Sequence, residues 1–356
     1  MAYTTIDKPS DYFNTLTWTG ADTSAGRDFT GVGFQPDWVW CKTRSVGNGH
    51  KLFDSVRGVG KSLQSEGNGA EVTNDGNGYI DSFDSDGFSS IAGSSNNYNF
   101  NISSETIVAW NWKAGTSFTN DASATGIGSI DSAGSVNTDA GFSIISYTGT
   151  GANATIAHGL GSVPKMYIAR NIDDVEQWTT YHVGIGATHH LRLNTTDAKI
   201  DEAEVWNDTE PTSTVFSVGS SGAPNGDGNA HIAYCFAEKQ GYSKFGSYTG
   251  NGNADGPFVY TGFKPAMVIL KLSSVAGENW YIFDNKRDTD NVMTQILYPN
   301  LGNAEATGTT NIDFLSNGFK LRNAGDFLNG SGRIQIYMAF AESPIVNSNS
   351  IPNNAR

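Results

Sequence analysis

Trp18-Thr19-Gly20, Tyr147-Thr148-Gly149 and Tyr248-Thr249-Gly250 each open a stretch that runs on to a glycine, a proline and an apolar strand. These continuations read GFQPDWVW (33–40), GLGSVPKMYIA (159–169) and GFKPAMVILK (262–271). From Gly20 to Pro36, Gly149 to Pro164 and Gly250 to Pro265 the separations are 16, 15 and 15. A pattern kept three times at nearly fixed spacing marks an internal repeat, and the fold has to be read from it.

The correspondence continues downstream. KLFDSVRG (51–58), QWTTYHVG (177–184) and NWYIFDNKR (279–287) align Phe53-Asp54 with Tyr181-His182 and Phe283-Asp284. SFDSDGF (82–88) answers DFLSNGF (313–319), and the copies close on VAWNWK (108–113), IAYCFAEK (232–239) and IYMAFAES (336–343). Side chains alternate across a strand, so Trp110/Trp112, Tyr234/Phe236 and Met338/Phe340 share one face, which reads as core. The copies start 129 and 101 residues apart, and the excess of 28 falls on the Ser/Gly/Asn-rich stretch 115–141. That stretch reads as a linker or long surface loop. The expected organisation is a first sandwich over 1–114, the linker over 115–141, a second sandwich over 142–241, a third over 242–345 and a flexible tail over 346–356. Without a linker, copies two and three are expected as a rigid pair, with the first tethered more loosely.

The fold class follows: all-β, with about seven short strands per ~100 residues, as three tandem β-sandwiches. A fusion of copies two and three into one larger jelly-roll is the rival arrangement. No stretch carries a convincing 3.6 period with caps, and DAKIDEAEVW (197–206) is expected to form a helical turn at most. Among 356 residues, 42 glycines and only 16 % charged residues suit tight turns better than helices. A net charge of −14 with no basic cluster argues against nucleic acid as partner. No window resembles a membrane span, and MAYTTIDKPSDYF lacks the basic and apolar regions of a signal peptide, which implies assembly in a host cytoplasm. Cys41 and Cys235 occupy non-equivalent apolar positions and are expected as buried free thiols.

Candidate chemistry is sparse. Asp81, Asp84 and Asp86 have the oxygen spacing of a calcium loop, but the third copy keeps only Asp313 and Asn317, so a hairpin turn accounts for both. Phe53-Asp54-x-x-Arg57 recurs as Phe283-Asp284-x-x-Arg287. Such a carboxylate–guanidinium pair can hold a glycan hydroxyl or fix a loop as an ion pair. Trp206 lies in a polar stretch and is a further candidate sugar platform, whereas Trp110, Trp112, Trp178 and Trp280 read as core. Trp38 and Trp40 fall in phase with each other. His189 and His190 point to opposite faces of a strand, which disfavours a shared metal ion. No nucleophile elbow, phosphate loop or zinc-protease motif occurs, so catalytic residues and cofactors are expected to be none.

The runs GFQPDWVWCKTRS (33–45), HKLFDSVRGVGKSL (50–63), IVAWNWKAG (107–115), VWNDTEPTSTVFSVG (205–219), IDFLSNGFKLR (312–322) and IYMAFAES (336–343) resemble an uncharacterised repeat-domain family of marine bacteriophages. The resemblance spans about residues 12–345. It implies lectin-like β-sandwiches in a fibre- or tail-associated virion protein, contacts with other virion proteins, a homotrimer, and host surface polysaccharide as ligand. It supplies no catalytic residues. The functional expectation is a non-enzymatic virion structural protein, an appendage of head or tail that binds host glycan or anchors another fibre. A purely architectural decoration or tail-assembly role and a polysaccharide depolymerase are the alternatives.

Overall fold

The computed structural model describes residues 2–352, apart from the side chains of 309–310. The chain is all-β, and among the described residues no α-helix exceeds four residues. Each aromatic-Thr-Gly ends an opening strand: Phe13–Thr19, Phe142–Thr148 and Ser243–Thr249. Beside each lies a closing strand, Thr106–Trp112, Ala230–Ala237 or Ile334–Pro344. Next come the strands at the prolines, Trp38–Thr43, Pro164–Asn171 and Phe263–Leu272, and then edge strands Lys51–Asp54, Thr179–His182 and Trp280–Asp284. The order opening–closing–proline–edge is the same in all three sheets.

A smaller antiparallel sheet covers one face of each. In the first sandwich it is Arg27–Thr30, Gly87–Ile91 and Tyr79–Asp84; in the second, Ala154–Ala157 and Val215–Val218. In the third it is Phe258–Tyr260, Gly318–Leu321, Ala306–Leu315 and Met293–Ile296. Val39, Cys41, Phe53 and Phe88 fill the first interior, Tyr167, Tyr181, Phe216 and Cys235 the second, and Val268, Leu270, Phe283 and Phe319 the third. Both cysteines are free and buried.

The opposite face of each large sheet is also buried. Trp38, Trp40, Trp110 and Trp112 from the first copy meet Phe142, Tyr234 and Phe236 from the second and Met267, Met338 and Phe340 from the third in one central cluster. The Trp38 ring lies 4.4 Å from Tyr234, and Phe13 lies 5.0 Å from Phe340. The face carrying Trp110/Trp112, Tyr234/Phe236 and Met338/Phe340 is therefore core, but core shared between sandwiches rather than inside one. The first copy packs into it as fully as the others and is not loosely tethered.

Residues 115–141 also differ from a linker or loop. Thr116–Asn120 and Ser132–Asn137 are strands that extend the second sheet beyond Phe142–Thr148, while His189–Arg192 and Ile200–Asp201 extend its other edge to give eight strands. A few apolar side chains suffice to seat this hairpin, because Phe118, Ile130 and Val136 pack on the second interior. Ala203–Trp206 forms the helical turn expected within 197–206. In the tail, Val346 bridges Pro352 and Ser348 hydrogen-bonds Asp7, whereas 353–356 lie outside the described residues.

Candidate functional site

Asp54 ends the first edge strand, and its carboxylate folds the next turn by accepting the amides of Val56 and Arg57. Arg57 doubles back, its Nε 2.5 Å from Asp54 Oδ2, and donates further to the Leu52 carbonyl and to Glu71. Asp284 and Arg287 repeat this arrangement, with Ile282 and Glu305 as the outer partners. Neither pair faces water, since both carboxylates are buried and both guanidinium side chains nearly so. Their remaining partners come from neighbouring copies. Tyr234 of the second copy donates to Asp54 Oδ2 at 2.8 Å, and Trp110 Nε1 of the first donates to Asp284 Oδ2 at 3.0 Å.

The third junction is built from the same positions. Met338, paired in the sheet as Trp110 and Tyr234 are, has no proton to offer a carboxylate. The residue opposite is His182, which bonds the Tyr337 carbonyl at 3.0 Å, and Ile185 stands where the other copies carry arginine. A carboxylate occurs only where the neighbour supplies a donor.

A second ring of contacts has the same sense. His50, Trp178 and Trp280 immediately precede or begin the three edge strands. Their ring nitrogens meet the carbonyls of Tyr298, Gln64 and Arg192 at 2.9, 2.8 and 3.0 Å. First copy thus reaches third, second reaches first, and third reaches second. Lys42, Arg170 and Lys271 end the apolar runs WVWCK, MYIAR and MVILK and are buried against carbonyls, Arg170 on those of Asn68 and Gly69 and Lys271 on that of Glu278. Burial lowers the lysines to about 8.

The residues named from sequence as ligand contacts are therefore interior ones. Asp54, Arg57, Asp284 and Arg287 fasten copies together, and Trp206 is buried edge-on to Tyr167 at 4.8 Å. They offer no surface to a glycan. The calcium candidates are separated in use: Asp86 accepts the amides of Gly31 and Gly33, Asp84 accepts Ser89 Oγ, and Asp81 is exposed. Among the described residues no group of three or more His, Cys, Asp or Glu is placed to hold a metal ion. Five of the six histidines are buried, and burial lowers His158, His182 and His190 to about 4.

Asn101, Asn225 and Asn329 were not singled out from sequence. Each lies nine residues before Trp110, Tyr234 or Met338, a spacing that could have revealed them. Their side-chain oxygens each accept an amide at 2.8 Å, from Ala21, Thr150 and Asn251. The aromatic of each aromatic-Thr-Gly donates to the carbonyl one residue earlier, on Phe100, Pro224 or Leu328. A Cβ on Gly20, Gly149 or Gly250 would fall 1.9–2.3 Å from the carbonyl oxygen of Ile102, Gly226 or Gly330, which only glycine avoids.

Two surface clefts are polar. One of about 520 Å³ lies among Tyr12, Lys113, Phe118, Asn137 and Asp139, and one of about 420 Å³ among Lys264, Asp288, Asp290, Phe314 and Glu342. Among the described residues no helix is long and apolar enough to cross a membrane. A comparison with curated proteins finds no match. A family model described as a domain of unknown function, DUF7483, matches residues 8–344, and the chain belongs to that family.

Proposed function

We propose that this chain is a structural protein of a bacteriophage virion, associated with head or tail, that serves as a rigid displayed body rather than a catalyst. The observation that carries the reading is the closed ring of equivalent contacts. Both recurring Asp–Arg pairs and several buried histidines and tryptophans are used to lock three sandwiches together, which is the economy of a part that must hold its shape. The resemblance in sequence supplies the phage context. On this reading its partners are other virion proteins and host surface polysaccharide, and it requires no cofactor. Because a threefold arrangement is met within one chain, no homotrimer is needed to produce a threefold shape.

Purified particles of the phage encoding the chain provide the test. The chain should be found by mass spectrometry at fixed stoichiometry and located by cryo-electron microscopy on the particle exterior. Its absence from washed particles would overturn the reading. Incubation with host polysaccharide should release no reducing ends, and sustained release would turn the assignment towards a depolymerase.

A further inference from the structure

The three sandwiches act as controls for one another, and one place fails the comparison. In the small sheets, Phe29, Ile156 and Val259 are equivalent inward residues, paired with Phe88, Phe216 and Phe319. The residues on either side alternate to the other face of the strand. They are the exposed Asp28 and Thr30 in the first copy, the half-buried Thr155 and the buried Ala157 in the second, but the exposed Phe258 and Tyr260 in the third. The first copy, whose face is equally open, carries polar side chains there, so the fold does not require aromatics at an exposed position of this strand. Yet Phe258 is 45 % exposed and Tyr260 53 % exposed, side by side on one face of a strand.

Their surroundings are ordered. The Phe258 ring edge occupies the space that a side chain on Gly318 would take, with a Cβ there only 3.0 Å from the ring. Lys320 is the cross-strand partner of Phe258, and its Nζ pairs with Asp255 at 2.7 Å. Tyr260 meets the Tyr3 hydroxyl at 3.4 Å, and Tyr3 is fixed by the Gly262 carbonyl at 2.8 Å. Two aromatic rings are thus bordered by an ammonium, a carboxylate and the Tyr3 phenol.

We infer that this face, formed by Phe258 and Tyr260 with Lys320, Asp255 and Tyr3 at its rim, binds a pyranose unit of a polysaccharide. The apolar C–H face of a sugar ring rests on the aromatic rings, while the rim groups exchange hydrogen bonds with its hydroxyls. Size favours a sugar over a protein. Two half-exposed rings present roughly 200 Å², far below the roughly 800 Å² per partner of a stable protein interface. The inference rests on the reading of the chain as a polysaccharide-contacting virion part and gives that contact a place.

The test uses the full chain on a microarray of bacterial capsular polysaccharides, O-chains and dextran. The variant Phe258→Asp/Tyr260→Thr carries what the first copy has at these positions, so it should keep its melting temperature. Wild type should be retained on at least one polysaccharide, and the variant should bind it at least tenfold more weakly. Retention of neither protein on any of these probes, or equal retention of both, would overturn the inference. The particle assignment stands or falls separately, since mass spectrometry of virions does not depend on sugar binding.

Discussion

Asp54 and Asp284 illustrate how little a local motif says about a side chain's role. Phe-Asp-x-x-Arg builds a turn that neutralises its own charge, and the Oδ2 that holds the arginine also accepts the donor of the neighbouring copy. Removing the partner should be costlier than trimming the donor. Asp54→Asn leaves the Arg57 guanidinium, whose side chain is 3 % exposed, without its main counter-charge, and should cost about 3–5 kcal/mol in urea unfolding. Tyr234→Phe orphans one oxygen lone pair and should cost about 1–3 kcal/mol. Equal costs would show that the carboxylate is not balanced by Arg57.

His182 fixes the sign of a pH effect. Burial holds it neutral, with its pKa at about 4 against an ordinary 6.5. The unfolded chain therefore binds more protons between those values, and stability present above about pH 6.5 is lost as pH falls towards 4. Each such histidine contributes about 1.4 kcal/mol per pH unit in that window. His182→Gln should flatten the dependence of unfolding free energy on pH by about this slope; an unchanged slope would contradict a neutral buried imidazole.

At the scale of elements, the aromatic-Thr-Gly motif and the asparagine nine residues before the central aromatic or methionine form one unit. Asn225 is fully buried, with its oxygen on Thr150 N and its Nδ2 on the Ala152 and Gly219 carbonyls, both at 2.6 Å. Asn225→Ala should cost about 3 kcal/mol and raise hydrogen exchange at 149–153; protection unchanged there would remove the asparagine from its structural role. The opening, proline and closing strands were legible because their apolar runs recur three times at nearly fixed spacing. Which of two apolar faces looks inward was not, since WVWC and MVIL are apolar throughout, and a strand buried on both sides loses its period-two signal. The hairpin in 115–141 escaped reading for the opposite reason: three apolar anchors among serines and glycines resemble a loop. The Asp–Arg pairs were recognisable as ion pairs, but sequence does not say that a tyrosine 180 positions away completes one.

At the scale of the whole molecule, three sandwiches become one body through junctions that use equivalent positions in cyclic order. The second ring of contacts makes the first copy indispensable to the third, so no copy is terminal. Light scattering should give a particle near the 38.0 kDa of one chain, and a mass three times larger would show that the internal ring does not exhaust the molecule's capacity to associate. Native-state hydrogen exchange against denaturant tests the closure most directly. Amides in Thr106–Trp112, Ala230–Ala237 and Ile334–Pro344 should converge on one opening free energy, and Asp54→Asn should lower all three together. Opening of Thr106–Trp112 at its own lower free energy, with the other two strands indifferent to Asp54→Asn, would contradict a single closed body.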